Sequence, residues 1–276
     1  MLTYSLHKIK HKNHFEFNPA DYSRFKFGDE AIAKMYGTDL ANGFISAHLK
    51  NQSLQKQIVV ISSPYAFIPT ATFAMKNHFV YQLNRWLVEM DLPVVQESKV
   101  HRTVTYKEDY GELSAQERIR LIGNDAFYID RSFLENKFLI FLDDIKITGS
   151  HEKMIVKMIN TFHLKNEIAL LYFAELINDE IHPSIENYLN YYSVKSIFDL
   201  AQIIESGNFF FNTRIVKYIL SAGFDSFQLF IENQTEDFIN TLYNLSLGNS
   251  YHTIKEYQHN LSFIKQFLIN SKVQLH

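Results

Sequence analysis

The 276-residue chain contains no cysteine. Disulfides, thiolate metal centres and cysteine nucleophiles are thereby excluded. The chain also has little net charge: 27 Lys and Arg stand against 30 Asp and Glu, a formal balance of −3. So small a charge gives no global pull toward nucleic acid or an anionic membrane. No apolar run approaches the roughly 20 residues needed to span a bilayer. The first stretch, residues 1–17, has no apolar core of signal-peptide length. A soluble, cytoplasmic protein is expected. Aromatic residues, by contrast, are plentiful, with 24 Phe and 16 Tyr. They are spread through the whole chain, which reads as core filling rather than as a base-stacking surface. With 46% hydrophobic and 21% charged residues, a packed globular fold is expected and wholesale disorder is not.

The length suits one large domain, or an average one with a smaller companion. Residues 1–20 are polar, with His7, Lys8, Lys10, His11, Lys12 and His14 at spacings that match no closed metal site, and they read as a solvated arm. Ala31, Ile32, Met35 and Tyr36 place a helix within 29–50. The β-branched run from Gln57 to Ser62 reads as a buried strand, broken by Ser63-Pro64-Tyr65. A helix from about Thr70 to Met90 follows, then strands at Leu92–Val95 and Lys99–Tyr106. A polar loop at 107–125 comes next, with a capping box at Ser114–Glu117. Phe138–Leu142 is the most apolar strand. Met154, Ile155, Met158 and Ile159 mark the helix after it, and Glu167–Ala174 the next strand. Strand, helix, strand with continuous apolar runs is the pattern of an α/β fold with a parallel sheet. From about Pro183 the strands stop and five or six short helices are expected. The last of them carries Ile254, Tyr257, Leu261, Ile264 and Leu268 at three-four spacing. The expected division is an arm at 1–20, an α/β domain at 21–180 and a helical domain at 181–276.

Chemistry concentrates in Phe138–His151. A hydrophobic strand delivers Asp143 and Asp144 to its C-terminal end, where open α/β sheets bind ligands. Adjacent buried carboxylates repel one another and call for a cation or donor hydroxyls. After the spacer Ile145, Lys146 and Ile147, the turn Thr148-Gly149-Ser150-His151 opens a helix. Its main-chain N–H groups form a phosphate cradle that Gly149 allows a ligand to approach closely. Diol-binding acids one turn from a phosphate nest describe a ribose 5-phosphate site. The aspartyl nucleophile motif of haloacid-dehalogenase-like phosphatases needs acids at alternate positions. Ile145 stands second after Asp143, so that motif is rejected.

The same segment resembles the motif by which type I phosphoribosyltransferases bind 5-phosphoribosyl 1-pyrophosphate (PRPP): apolar residues, two acids, a spacer, then Thr-Gly-x-Thr. The resemblance extends over about residues 20–180. Arg102, Leu113–Arg118 and Asn124–Phe127 resemble the ComF-like branch. Asp21–Asp29 is similar to the ComF-like phosphoribosyltransferases associated with tellurium-resistance gene clusters. This chain departs from the pattern at His151, where the motif has Thr, and at Ser62-Ser63-Pro64-Tyr65, which lacks the basic-Gly pattern of many pyrophosphate loops.

The resemblance implies a parallel-sheet type I phosphoribosyltransferase fold with a C-terminal all-helical extension. It implies transfer of phosphoribosyl to a nitrogenous base or related acceptor, with PRPP and Mg²⁺ and release of pyrophosphate. Asp143 and Asp144 would hold the ribose hydroxyls and the waters of Mg²⁺, and residues 145–151 the phosphoribosyl moiety. Ser62–Tyr65 would contact pyrophosphate, and Arg102 or Lys107 would close as a lid. The partners implied are PRPP and a small-molecule base or nucleotide, without nucleic acid or membrane and with a homodimer allowed. Two alternatives stand beside the enzyme: a non-catalytic PRPP or nucleotide sensor signalling through the C-terminal helices, and a helical scaffold on a degenerate enzyme fold. Tyr188, Tyr191 and Tyr192 are expected in the interdomain core, with stacking on an acceptor base as the alternative. The helices from 183 onward are expected beside the C-terminal end of the sheet, walling off the acceptor pocket.

Overall fold

A computed structural model describes residues 1–51, 54–102 and 127–273. The α/β part contains strand β1 (Leu2–Ile9), helices α1 (Pro19–Lys26) and α2 (Glu30–Phe44), strand β2 (Ile58–Ser62) and helix α3 (Ala71–Glu89). It continues with the short strands β3 (Gln96–Glu97), β4 (His101–Arg102) and β5 (Phe127–Tyr128), then α4 (Arg131–Leu134), β6 (Phe138–Lys146), α5 (Ser150–Thr161) and β7 (Glu167–Leu176). Helices α6 (Ile185–Asn190), α7 (Leu200–Glu205), α8 (Thr213–Leu220), α9 (Phe224–Glu232), α10 (Glu236–Gly248) and α11 (Lys255–Val273) complete it. This is the expected α/β fold with a helical extension. Among the described residues no helix is long and apolar enough to cross a membrane.

The main sheet has five parallel strands in the order β1-β7-β6-β2-β3. Strand β2 passes through α3 to β3 on one side, and β6 passes through α5 to β7 on the other. The loops after β2 and β6 therefore diverge, and this topological switch point is where an open sheet leaves a crevice. The central strands β2, β6 and β7 are buried on both faces, as a parallel sheet requires. Along β6, Leu139 and Phe141 enter the core under α4 and α5, while Ile140 and Leu142 enter the core under α1, α2 and α3.

Three expectations need correction. The solvated arm is in large part β1, an edge strand paired with β7 from Leu2↔Ala169 to Ile9↔Leu176. Leu2, Tyr4 and Leu6 pack on the main core. His7 is held between Phe17 and Phe173, and Lys8 pairs with Glu175 at 2.5 Å. The strand expected at Leu92–Val95 is displaced to Gln96–Glu97. Pro93 has no N–H for a ladder, and Val95 instead donates its N–H to Asn84 Oδ1 at 2.8 Å. Of the strand expected at Lys99–Tyr106, β4 covers His101–Arg102. Residues 103–106 and the Ser114–Glu117 capping box lie outside the described residues.

The helical region has its own core, from Val194 to Leu268, which also takes in Phe27 and Ile68 from the α/β part. Phe27 is fully buried against Tyr191 and Tyr218, a burial worth about 1.5–3 kcal/mol. Ile185 and Leu189 of α6 pack instead in the core that backs the sheet. The seam is closed by main-chain pairing, with Phe210 N–H to Gly28 O at 2.9 Å and Glu30 N–H to Asn208 O at 2.8 Å. Thr213 also donates to the carbonyls of Ile68 and Pro69, and Asn249 Oδ1 accepts from the N–H groups of Phe67 and Ile68. The helices thus sit beside the loop that leaves the C-terminal end of β2.

Candidate functional site

Ser62 pairs with Leu142 at the last step of the β2–β6 ladder. The next residues along, Ser63 and Asp143, meet across the switch point, with Ser63 Oγ donating to Asp143 Oδ1 at 2.6 Å. Strand β6 runs on through both acids to Lys146, beyond the apolar run at Phe138–Leu142. Side chains alternate along a strand, so Asp143 and Asp144 face opposite sides of the sheet. Both are buried, at 6% and 5% exposure.

Asp143 faces a small, partly open cleft. Its floor is apolar, formed by Ile61, Val100, Phe141 and the α5 residues Met154, Ile155 and Met158, while Ser62, Ser63, Pro64 and His151 join Asp143 around it. His151 Nδ1 lies 2.6 Å from Asp143 Oδ2. Thr72 Oγ1 reaches Asp143 Oδ1 at 3.3 Å. Burial opposes ionisation of Asp143, but the His151 imidazole, the Ser63 hydroxyl and the Lys26 ammonium outweigh it and hold the carboxyl well below the usual carboxylate range.

Asp144 meets a different set of donors. Tyr22 OH donates to Oδ2 at 2.6 Å, Lys26 Nζ pairs with the same oxygen, and Thr72 Oγ1 donates to Oδ1 at 3.0 Å. Burial, together with the nearby Asp144 carboxylate, pushes the Tyr22 phenol well above its ordinary value. Sequence analysis missed Tyr22, Lys26 and Thr72. The available signal was the i, i+4 spacing of Tyr22 and Lys26, which puts them on one face of α1.

Beyond the acids, Ile145 is buried and Ile147 partly buried in the core beneath α1–α3. Lys146 Nζ contacts Glu152 at 2.7 Å and Glu175 at 3.1 Å. Glu175 also takes Lys8 and Ser5, and these donors lower its pKa against the effect of burial. Gly149 adopts φ 68° just ahead of α5. A Cβ there would meet only Lys146 Cε at 3.8 Å, so the turn leaves room for an anion. The hydroxyls of Thr148 and Ser150 lie 2.7 Å apart across it. Of the expected pyrophosphate loop, Ser62, Ser63 and Pro64 line the cleft. Tyr65 turns toward Phe73, with Lys99 Nζ 3.8 Å over its ring. Arg102 contributes main chain to β4, and Lys107 lies outside the described residues.

No described residue of the helical region lines the cleft. The described helices pack on the α1 side and the 66–70 loop. Tyr191 fills the interdomain core beside Phe27 and Tyr218. Tyr188 and Tyr192 are exposed rather than in that core; they pack on each other, and Tyr188 also stacks on Phe15.

A family model described as PRTase ComF-like matches residues 1–264. The chain belongs to the ComF-like phosphoribosyltransferase family. No curated protein matches it. Among solved structures, a hypoxanthine phosphoribosyltransferase from Staphylococcus aureus is 12% identical, with 60% of this chain and 78% of that one covered and a TM-score of 0.32. A hypoxanthine-guanine phosphoribosyltransferase from L. donovani is 11% identical, covering 53% and 73%, with a TM-score of 0.33. The Trypanosoma cruzi hypoxanthine phosphoribosyltransferase complexed with the product IMP is 13% identical, covering 56% and 80%, with a TM-score of 0.32.

Phosphoribosyltransferases of this kind imply Mg²⁺. Among the described residues no group of three or more His, Asp and Glu could hold a metal ion. Asp144 carries an ammonium on one oxygen and a hydroxyl on the other, and both oxygens of Asp143 accept from protein donors. This donor set does not fit a resident ion. It is compatible with one that arrives already chelated by a substrate pyrophosphate.

The depressed Asp143 and Glu175 carboxyls make stability pH-dependent. A folded-state pKa below the unfolded one adds stability that is complete above the unfolded value and lost as pH falls through the folded one. The ordinary values are 3.8 and 4.5. The thermal midpoint should therefore fall progressively on acidification below about pH 5, and Asp143→Asn should flatten part of that slope. An unchanged slope in the variant, followed by calorimetry, would remove Asp143 from this account.

Proposed function

We propose that the ComF-like protein binds PRPP, as its Mg²⁺ complex, at the switch point between β2 and β6 and transfers phosphoribosyl to a nitrogenous acceptor. The observation carrying this reading is the placement of a buried Asp143 on a cleft, paired with His151 in the first turn of the helix that the left-handed Gly149 opens. The 5-phosphate is assigned to Thr148, Gly149, Ser150 and the first N–H groups of α5, where turn and helix dipole act together. Asp143 accepts a ribose hydroxyl. The main chain and hydroxyls of Ser62 and Ser63 meet the pyrophosphate, which supplies the metal.

In the transfer, the acceptor nitrogen forms a bond to C1 of the ribose as the C1–O bond to pyrophosphate breaks. The electron pair leaves with pyrophosphate, and the acceptor proton passes to solvent. An oxocarbenium-like transition state of this kind is served by positioning and electrostatics. Both are provided by a carboxylate fixed on two sides and a cleft with an apolar floor. Titration calorimetry with PRPP and Mg²⁺, followed by pyrophosphate-release assays over a panel of nitrogenous bases, tests the reading. Binding with release supports the transferase, and absence of PRPP binding rejects the site.

The sensor reading is favoured by one observation. Lys26 contacts the acid pair, and its neighbour Phe27 is buried in the core of the helical region. PRPP binding without pyrophosphate release over the whole panel would select it.

A further inference from the structure

The two acids of the motif live in different surroundings. Asp143 lines the cleft and Asp144 does not. Asp144 is closed in by Tyr22 at 0% and Thr72 at 2% exposure, and the Lys26 side chain is 12% exposed. Together these supply two hydroxyl donors and one full positive charge. A second cation brought to the same carboxylate would be repelled by the ammonium at short range.

The backbone that delivers Lys26 is fixed on several sides. Its carbonyl accepts from Asn212 Nδ2 at 3.1 Å. Ser23 Oγ, three residues earlier, donates to Asn190 O at 2.9 Å and accepts from Ser193 N–H at 3.0 Å. Arg24 pairs with Asp29 at 2.7 Å, and Phe27 is locked in the second core. Helix α1 is thus held by the helical region on one side and by Asp144 on the other.

We propose that Asp144 is a structural carboxylate permanently paired with Lys26, and that the ligand-holding role of the acid pair falls to Asp143 alone. Lys26 is then the resident cation of the site, standing where a divalent ion or a ligand hydroxyl would otherwise meet Asp144. The ligand arm of this proposal rests on the ribosyl-phosphate reading above, whereas the pairing does not. Breaking a buried pair by removing one partner leaves an uncompensated charge, while removing both leaves none. A structural pair therefore has a signature that a ligand-holding carboxylate lacks.

The test is a double-mutant cycle on the full chain with Lys26→Met, Asp144→Asn and both together. Thermal midpoints and calorimetric titration with PRPP and Mg²⁺ are the readouts. Each single change should lower the midpoint by roughly 10 °C, and the double variant should recover most of that loss. The double variant should bind PRPP within about threefold of the parent, below the tenfold that a lost hydrogen bond to a charge produces. Additive losses in the midpoint would overturn the pairing. A double variant with recovered stability and tenfold weaker binding would overturn the reassignment, because Asp144 would then hold ligand. If the parent itself does not bind PRPP, the ribosyl-phosphate reading fails, and the midpoints alone still decide whether Lys26 and Asp144 form a structural pair.

Discussion

Gly28→Ala should lower the thermal unfolding midpoint by roughly 10 °C. Gly28 sits between α1 and α2 at φ 88°, a conformation that costs an L-residue about 1–2 kcal/mol. A Cβ there would lie 2.3 Å from the carbonyl oxygen of Phe210 and 2.7 Å from Ile215 Cδ1. The first contact is with main chain, which cannot rotate away. Relief requires the strand-like seam between Gly28 and Phe210 to part, together with its hydrogen bond at 2.9 Å. Overpacking at about 1–3 kcal/mol and a lost hydrogen bond at about 0.5–1.5 kcal/mol add to the backbone term. The combined loss of about 2.5–6.5 kcal/mol would fall on the docking of the helical region. Calorimetry should show the change, and hydrogen exchange should locate it in the Asn208–Ile215 segment. A midpoint within about 2 °C of the parent would mean that the seam is not part of the cooperative structure.

The parts of this protein that could be read from sequence are those whose determinants are local. Phe138–Leu142, the two acids and Thr148-Gly149-Ser150 follow one another within a single strand–turn–helix, so their order carries the site. The last helix, α11, is visible in the same way, through three-four spacing. Strand β1 was hidden by its own charges. Lys8, Lys10 and His7 read as solvated, because the partner that neutralises Lys8 is Glu175, on β7, and no periodicity in residues 1–20 reveals it. Leu2, Tyr4 and Leu6 at alternate positions were the one available sign. The surroundings of Asp144 were hidden for a related reason. Tyr22 and Lys26 lie more than a hundred residues away in sequence, and the pairing exists only because α1 is laid across the end of β6. The direction in which the helical extension packs depended likewise on Gly28, Phe27 and the 66–70 loop, positions with no pattern of their own. Gly223, between α8 and α9, is the N-cap of α9. A glycine at a boundary does not say which of two neighbouring helices it serves.

Asp143→Asn should weaken PRPP binding about tenfold or more while leaving the fold intact. The substitution keeps the size of the side chain and a carbonyl oxygen that can still accept from Ser63 and Thr72, so the end of β6 need not move. What it removes is the charge, and with it the charge-assisted bond a ribose hydroxyl would donate, worth about 1.5–3 kcal/mol. The variant also loses the anionic partner of His151 at 2.6 Å, but it no longer has a buried charge to desolvate. Because the donors around Asp143 outweigh its desolvation, the variant should also lose some stability at neutral pH. The phosphate cradle at Thr148–Ser150 directly precedes His151, the partner of Asp143, but the hydroxyls of Thr148 and Ser150 bond each other rather than the carboxylate. Inorganic phosphate should therefore bind the variant as it binds the parent, while PRPP with Mg²⁺ binds it more weakly. Parallel calorimetric titrations with the two probes separate the cases. Equal weakening for both would mean that the substitution had distorted the turn. PRPP bound as tightly as by the parent would mean that no ribose hydroxyl reaches Asp143.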